Sequence, residues 1–118
     1  MKTIIGLFFL GTAMVCQAQS KVETRFRVEG VCGMCEDRIE AVLDVAGVVA
    51  ADWDLATKEL MVVYKPKKIS EEQLHVLLNS VGHDTQSRKA SDQEYAGIHS
   101  CCKYRESEGC SEGNDRKN

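Results

Sequence analysis

The sequence predicts an α+β sandwich with the element order β-α-β-β-α-β. Three observations predict it. Residues 22–29 alternate between apolar and polar side chains. Two later segments each carry an apolar stripe at helical spacing. Between those segments, two strand-like runs are joined by a short polar turn.

The elements follow in chain order. Val22, Thr24, Phe26 and Val28 share one face of the first strand, and Glu23, Arg25, Arg27 and Glu29 take the other. Gly30 to Met34 breaks this period and forms a loop. From Cys35 the spacing becomes helical, with Ile39, Val42, Leu43 and Ala46 at i, i+3, i+4 and i+7 and Gly47 as the expected C-cap. Val48 to Trp53 reads as the second strand, Asp54 to Lys58 as a turn, and Glu59 to Tyr64 as the third strand, ended by Pro66. Ser70 with Gln73 has the spacing of a capping box. Leu74, Leu77, Leu78 and Val81 then repeat the helical stripe, and Gly82 closes it. His83 to Ser87 is the weakest element, a short polar edge strand. Both helices fall on one face of one antiparallel sheet, the ferredoxin-like arrangement.

The chain of 118 residues leaves room for one small domain with tails. Residues 1–18 have the features of a secretory signal peptide: Lys2, an apolar run from Ile4 to Val15, and small residues before a cut between Ala18 and Gln19. The run is too short to span a bilayer. The expected destination is therefore export, with the periplasm preferred to a lipid anchor through Cys16. Residues 19–88 form the domain and 89–118 a polar, cysteine-containing tail. That tail is expected to be loosely ordered, unless the aromatic residues between Tyr95 and Tyr104 dock it. The formal charge of −3 is too small and of the wrong sign for a nucleic-acid binder. No nucleophile elbow, phosphate loop or Ser-His-Asp set is present, so no enzyme is expected.

The cysteines carry the chemistry. Loss of residues 1–18 removes Lys2 and Cys16 and leaves five cysteines and a charge of −4. An odd number, clustered near the two ends of the domain, is a poor disulfide framework. Cys32 and Cys35 sit in a glycine-bearing loop at the mouth of a helix, where the dipole should lower the thiolate pKa, most for Cys35. Such a pair chelates soft ions such as Cu(I) or Zn(II). Two other uses remain open on this pattern, a thiol-disulfide redox pair and a structural disulfide. Glu36 stands where haem attachment would need histidine.

Val28-Glu29-Gly30-Val31-Cys32-Gly33-Met34-Cys35, with Arg38-Ile39-Glu40, resembles the heavy-metal-associated domain family. The likeness runs through Leu43, Val45, Gly47-Val48, Trp53-Asp54, the hairpin and Val81-Gly82-His83, about residues 22–87. The resemblance implies that Cys32 and Cys35 bind the metal, Cu(I) first and Hg(II) or Zn(II) next. It also implies transfer by thiolate exchange to a membrane metal transporter or another metal-binding protein. Two departures stand out. Gly30 replaces the family's methionine two positions before the first cysteine, while Met34 lies between the cysteines as a candidate third ligand. His83 replaces the Tyr or Lys common in copper chaperones. It is read first as a surface residue, with ligation or a hydrogen bond to the thiolates as the alternative. In the tail, His99, Cys101 and Cys102 form a further cluster. It could be inert, hold a second ion, or complete the site at Cys32 and Cys35.

Overall fold

The computed structural model describes residues 20–106. The expected signal peptide, its cleavage site and Cys16 lie outside these residues. Strands β1 (Val22–Arg27), β2 (Val48–Trp53) and β3 (Glu59–Tyr64) form one antiparallel sheet in the order β1-β3-β2. Helices α1 (Gly33–Val42) and α2 (Glu71–Ser80) connect them in the expected order. A short helix α3 (Asp92–Ala96) and a 3₁₀ turn (Ser100–Cys102) follow.

Alternation places the core. Phe26 faces Leu60 across β1 and β3, Trp53 faces Leu60 across β2 and β3, and Val62 and Tyr64 continue the buried row. Ile39 and Leu43 of the first helical stripe and Leu74 and Leu78 of the second bury into the same cluster. Both helices therefore cover one face of the sheet. Full burial of each such side chain stabilises the fold by about 1.5–3 kcal/mol relative to exposure.

The hairpin has the expected limits because its turn is chemically specified. Asp54 accepts hydrogen bonds from the amides of Ala56 and Thr57 at 2.8 and 3.0 Å, and Lys58 takes a left-handed φ of 60°. The capping box at Ser70 is formed in both directions, with Gln73 N–H on the Ser70 hydroxyl and Ser70 N–H on Gln73 Oε1. At the other end of α2, Gly82 N–H donates to Asn79 O at 2.8 Å and His83 N–H to Leu78 O at 3.0 Å. This is a Schellman closure made with Gly82 at φ 93°.

Three expectations need correction. Helix α1 is capped by Leu43, not Gly47; Gly47, at φ 98°, instead turns the chain into β2 under Lys68 and Ile69. The fourth strand shrinks to a single bridge, Val28 with Thr85, flanked by Glu29 N–H to Asp84 O and Gln86 N–H to Arg27 O. It stops there because Thr85 N–H turns back to Arg88 O at 2.8 Å and leaves the sheet edge. Finally, the tail is not loosely ordered over 89–106. Ser91 and Glu94 form a second capping box, and Ala90, Tyr95, Ile98 and Cys102 are buried against the domain. The spacing of Tyr95, Ile98 and Cys102 gives this segment its own apolar face.

Candidate metal centre

The loop after β1 is shaped by what lies beneath it. A Cβ on Gly30 would come within 3.0 Å of the Trp53 ring and 3.1 Å of Cys35 Cβ. The indole of Trp53, 1% exposed and donating to Val28 O at 3.1 Å, thus fills the space under the loop. With that ring in place, a side chain at position 30 would press on the indole and on Cys35, a crowding that glycine avoids where the family carries methionine. Lys58 of the hairpin turn donates to the Gly30 carbonyl from the other side.

Cys32 is the N-cap of α1, in extended conformation (φ −155°, ψ 171°) and without a side-chain capping bond. Its carbonyl accepts from the amides of Cys35 and Glu36 at 3.0 and 3.2 Å. Cys35 falls in the first turn, so both sulfurs turn to one point, with Cys32 Sγ 3.5 Å from Cys35 Sγ. Cys35 is fully buried, and burial pushes its thiol pKa up despite hydrogen bonds from Cys102 and from the Val31 and Cys32 backbone. The expected lowering by the helix dipole is overturned. The dipole acts within one turn of the N-terminus, but desolvation of a charged sulfur is the larger effect here.

The 3₁₀ turn brings the tail cysteines to the same point. Cys102 Sγ lies 2.8 Å from Cys32 Sγ and 3.7 Å from Cys101 Sγ. Cys101 Sγ in turn lies 3.5 Å from Met34 Sδ. Cys35, Cys32, Cys102, Cys101 and Met34 thus link five sulfur atoms in one cluster, with Cys35 and Cys102 buried, Cys32 and Cys101 partly exposed and Met34 exposed. Cys102 is fully buried, and desolvation, followed by its contacts with the thiols of Cys32 and Cys35, pushes its pKa strongly up.

The two candidate histidines, His83 and His99, stand apart from these sulfurs. His99 is exposed and accepts a hydrogen bond from Cys101 N–H at 3.3 Å, so it caps the 3₁₀ turn. His83 is not a surface residue: it is fully buried and stacks on Tyr104 with ring centroids 5.8 Å apart. Its Nδ1 lies 2.7 Å from the Glu29 carbonyl, so that nitrogen carries the proton, and Nε2 has no hydrogen-bond partner. Burial holds its pKa down at about 4. It supports the root of the loop from behind.

The latch of the tail was not visible as a site in the sequence. Tyr104 donates to Gly82 O at 2.6 Å and accepts from Asp84 N–H at 2.9 Å. Arg105 grips Asp84 with two bonds of 3.0 and 2.6 Å and donates to Ala90 O at 2.8 Å. Ser91-x-x-Glu94, the same capping signature as Ser70-x-x-Gln73, was the signal that could have located this segment.

The model of the heavy-metal-associated domain matches residues 25–84, half of the chain. Among solved structures, the CopZ metallochaperone shares 29% identity at a TM-score of 0.52, covering 54% of this chain and 98% of its own. The N-terminal domain of a potential copper-translocating P-type ATPase from Bacillus subtilis, in its Cu(I)-loaded state, shares 29% at 0.54, covering 56% and 85%. Oxidised MerP from Ralstonia metallidurans CH34 has the same fold at 20% identity and a TM-score of 0.54, covering 57% and 96%. No curated protein sequence matches the chain. Residues 25–84 contain the cysteine loop, both helices and the whole sheet beyond its first residues, and on that match the chain belongs to the heavy-metal-associated domain family.

Proposed function

We propose that this protein is an exported carrier that captures a soft metal ion through Cys32 and Cys35 and hands it on. Cu(I) is the expected cargo, with Hg(II) and Zn(II) as weaker candidates. The observation that carries this reading is the pair of sulfurs 3.5 Å apart at the open N-terminus of α1. Thiolates select soft ions over Mg or Ca, and the helix N-terminus tolerates the anionic complex. Copper-binding relatives at 27 and 29% identity favour copper. One of them is a copper-binding domain of the P-type ATPase HMA7, so a membrane metal transporter is the expected partner, with another metal-binding protein as the alternative. Export, with the periplasm as the expected destination, is supported by the leader-like sequence of residues 1–18.

Such a carrier acts by ligand exchange. An incoming thiolate of the partner adds to the metal as one of the carrier's own sulfurs leaves, so no electron changes hands. The test is a Cu(I) titration of the reduced protein against a competing chelator. One ion should bind tightly, and either Cys32→Ser or Cys35→Ser should weaken it by orders of magnitude. A double variant that binds as well as the parent would place the ligands elsewhere.

A further inference from the structure

We propose that Cys102 is a third thiolate ligand, delivered to the site at Cys32 and Cys35 by the folded segment 89–106. This rests on the reading of Cys32 and Cys35 as the metal pair and adds a ligand from outside residues 25–84, the part of the chain that matches the family.

Geometry argues first. With metal–sulfur bonds of about 2.3 Å, a linear two-sulfur site separates its sulfurs by about 4.6 Å, a trigonal one by about 4.0 Å and a tetrahedral one by about 3.8 Å. Cys32 and Cys35 stand at 3.5 Å, a spacing nearer to the higher coordination numbers. The 2.8 Å between Cys32 and Cys102 would open by about 1 Å around an ion.

The neighbours of Cys102 argue second. A cysteine buried only as a small apolar side chain is surrounded by carbon. The Cys102 sulfur instead lies 2.8 Å from that of Cys32 and 3.7 Å from that of Cys101, and these three sulfurs all lie within 4.8 Å of one another.

The anchoring of the segment argues third. Before the cysteines, Tyr95 and Ile98 are buried in the core cluster, and the Glu94 carbonyl lies so close to Gly82 that a Cβ there would meet it at 3.0 Å. Beyond them, Tyr104 and Arg105 bind Gly82, Asp84 and Ala90. Pinned on both sides, the 3₁₀ turn has little freedom to move Cys102 away. Cys101 and Met34 then form the rim, where a partner's thiolate would arrive. On binding, each of the three thiols gives its proton to solvent as its sulfur–metal bond forms, and the oxidation state of the metal does not change.

The experiment uses the reduced mature protein, residues 19–118, loaded with one Cu(I), and counts sulfurs around the metal by X-ray absorption. Three sulfurs are expected in the parent and two in Cys102→Ala, with affinity lowered by about 10–100-fold or more. Cys101→Ser should keep three. Circular dichroism of the metal-free variants checks that each is folded, and the parent's own count tests the proposal without any variant. Two sulfurs in the parent, or an unchanged count and affinity in Cys102→Ala, would overturn it. Binding that survives the combined Cys32→Ser and Cys35→Ser change would instead defeat the underlying assignment of the pair.

Discussion

The two helices of the domain begin in different ways. At α2, the Ser70 hydroxyl and the Gln73 amide close the N-terminus with reciprocal hydrogen bonds. At α1, the equivalent position is Cys32, whose side chain makes no capping bond. The backbone at both caps is extended, so the difference lies in side-chain chemistry alone. One helix uses its exposed N–H groups to stabilise itself. The other carries a sulfur at its cap position, beside those of Cys35 and Cys102. In this fold, stability and ligand chemistry compete for the same cap position.

The largest effect that would sharpen this contrast comes from the buried support behind the α1 loop. The folded-state pKa of His83, about 4, lies below its ordinary value of 6.5. Below 6.5 the unfolded chain takes up a proton that the native chain refuses, so stability falls as pH drops through 6.5 towards 4. The shift corresponds to about 3 kcal/mol. Denaturant titrations at pH 7 and pH 4 should show this loss, and His83→Gln should remove that part of it. An unchanged pH dependence in the variant would mean that His83 is not held neutral by burial. A smaller effect, about 1–3 kcal/mol, is expected for Tyr104→Phe, which strands the Asp84 amide and the Gly82 carbonyl. Thermal denaturation should report it, together with greater protease sensitivity after residue 89.

The smallest effects test the caps directly and should have opposite signs. Ser70→Ala should lower stability by about 1 kcal/mol and leave Cu(I) affinity unchanged. Cys32→Ser places a better capping residue on an extended N-cap, so stability should rise by about 0.5–1 kcal/mol while metal affinity collapses. Destabilisation by Cys32→Ser would show that its sulfur contacts, not the missing cap, dominate at that position. A further check concerns acidity. Burial raises the thiol pKa of both Cys35 and Cys102, so metal affinity should increase as pH rises, because each bound sulfur must first lose its proton.

The parts of the fold with strict local rules were legible. The hairpin limits and the second helix followed from Asp54, Lys58, Ser70, Gln73 and Gly82, whose backbone chemistry admits few alternatives. Trp53 was readable as core, though its place beneath Gly30 was not, since that depends on contact between distant segments. Cys32 and Cys35 were legible as a pair from spacing. The pKa direction of Cys35 was not, because burial is a property of the whole core and the helix dipole is local. The tail was legible only as a choice: its polar composition favoured loose order, and docking through the residues between Tyr95 and Tyr104 was the alternative. Four buried residues, Ala90, Tyr95, Ile98 and Cys102, outweigh the many charges around them, and their partners lie far away in sequence.

That separation has a consequence in time. Cys32 and Cys102 touch across 70 residues. A ribosome adding about 5–20 residues per second releases the first sulfur several seconds before the last. Closing so long a stretch of chain is also slower than forming the local hairpin between β2 and β3. A newly made molecule therefore passes through a stage in which the loop and its two cysteines exist and the sulfurs of the tail do not. The number of thiols that an ion meets depends on the age of the chain.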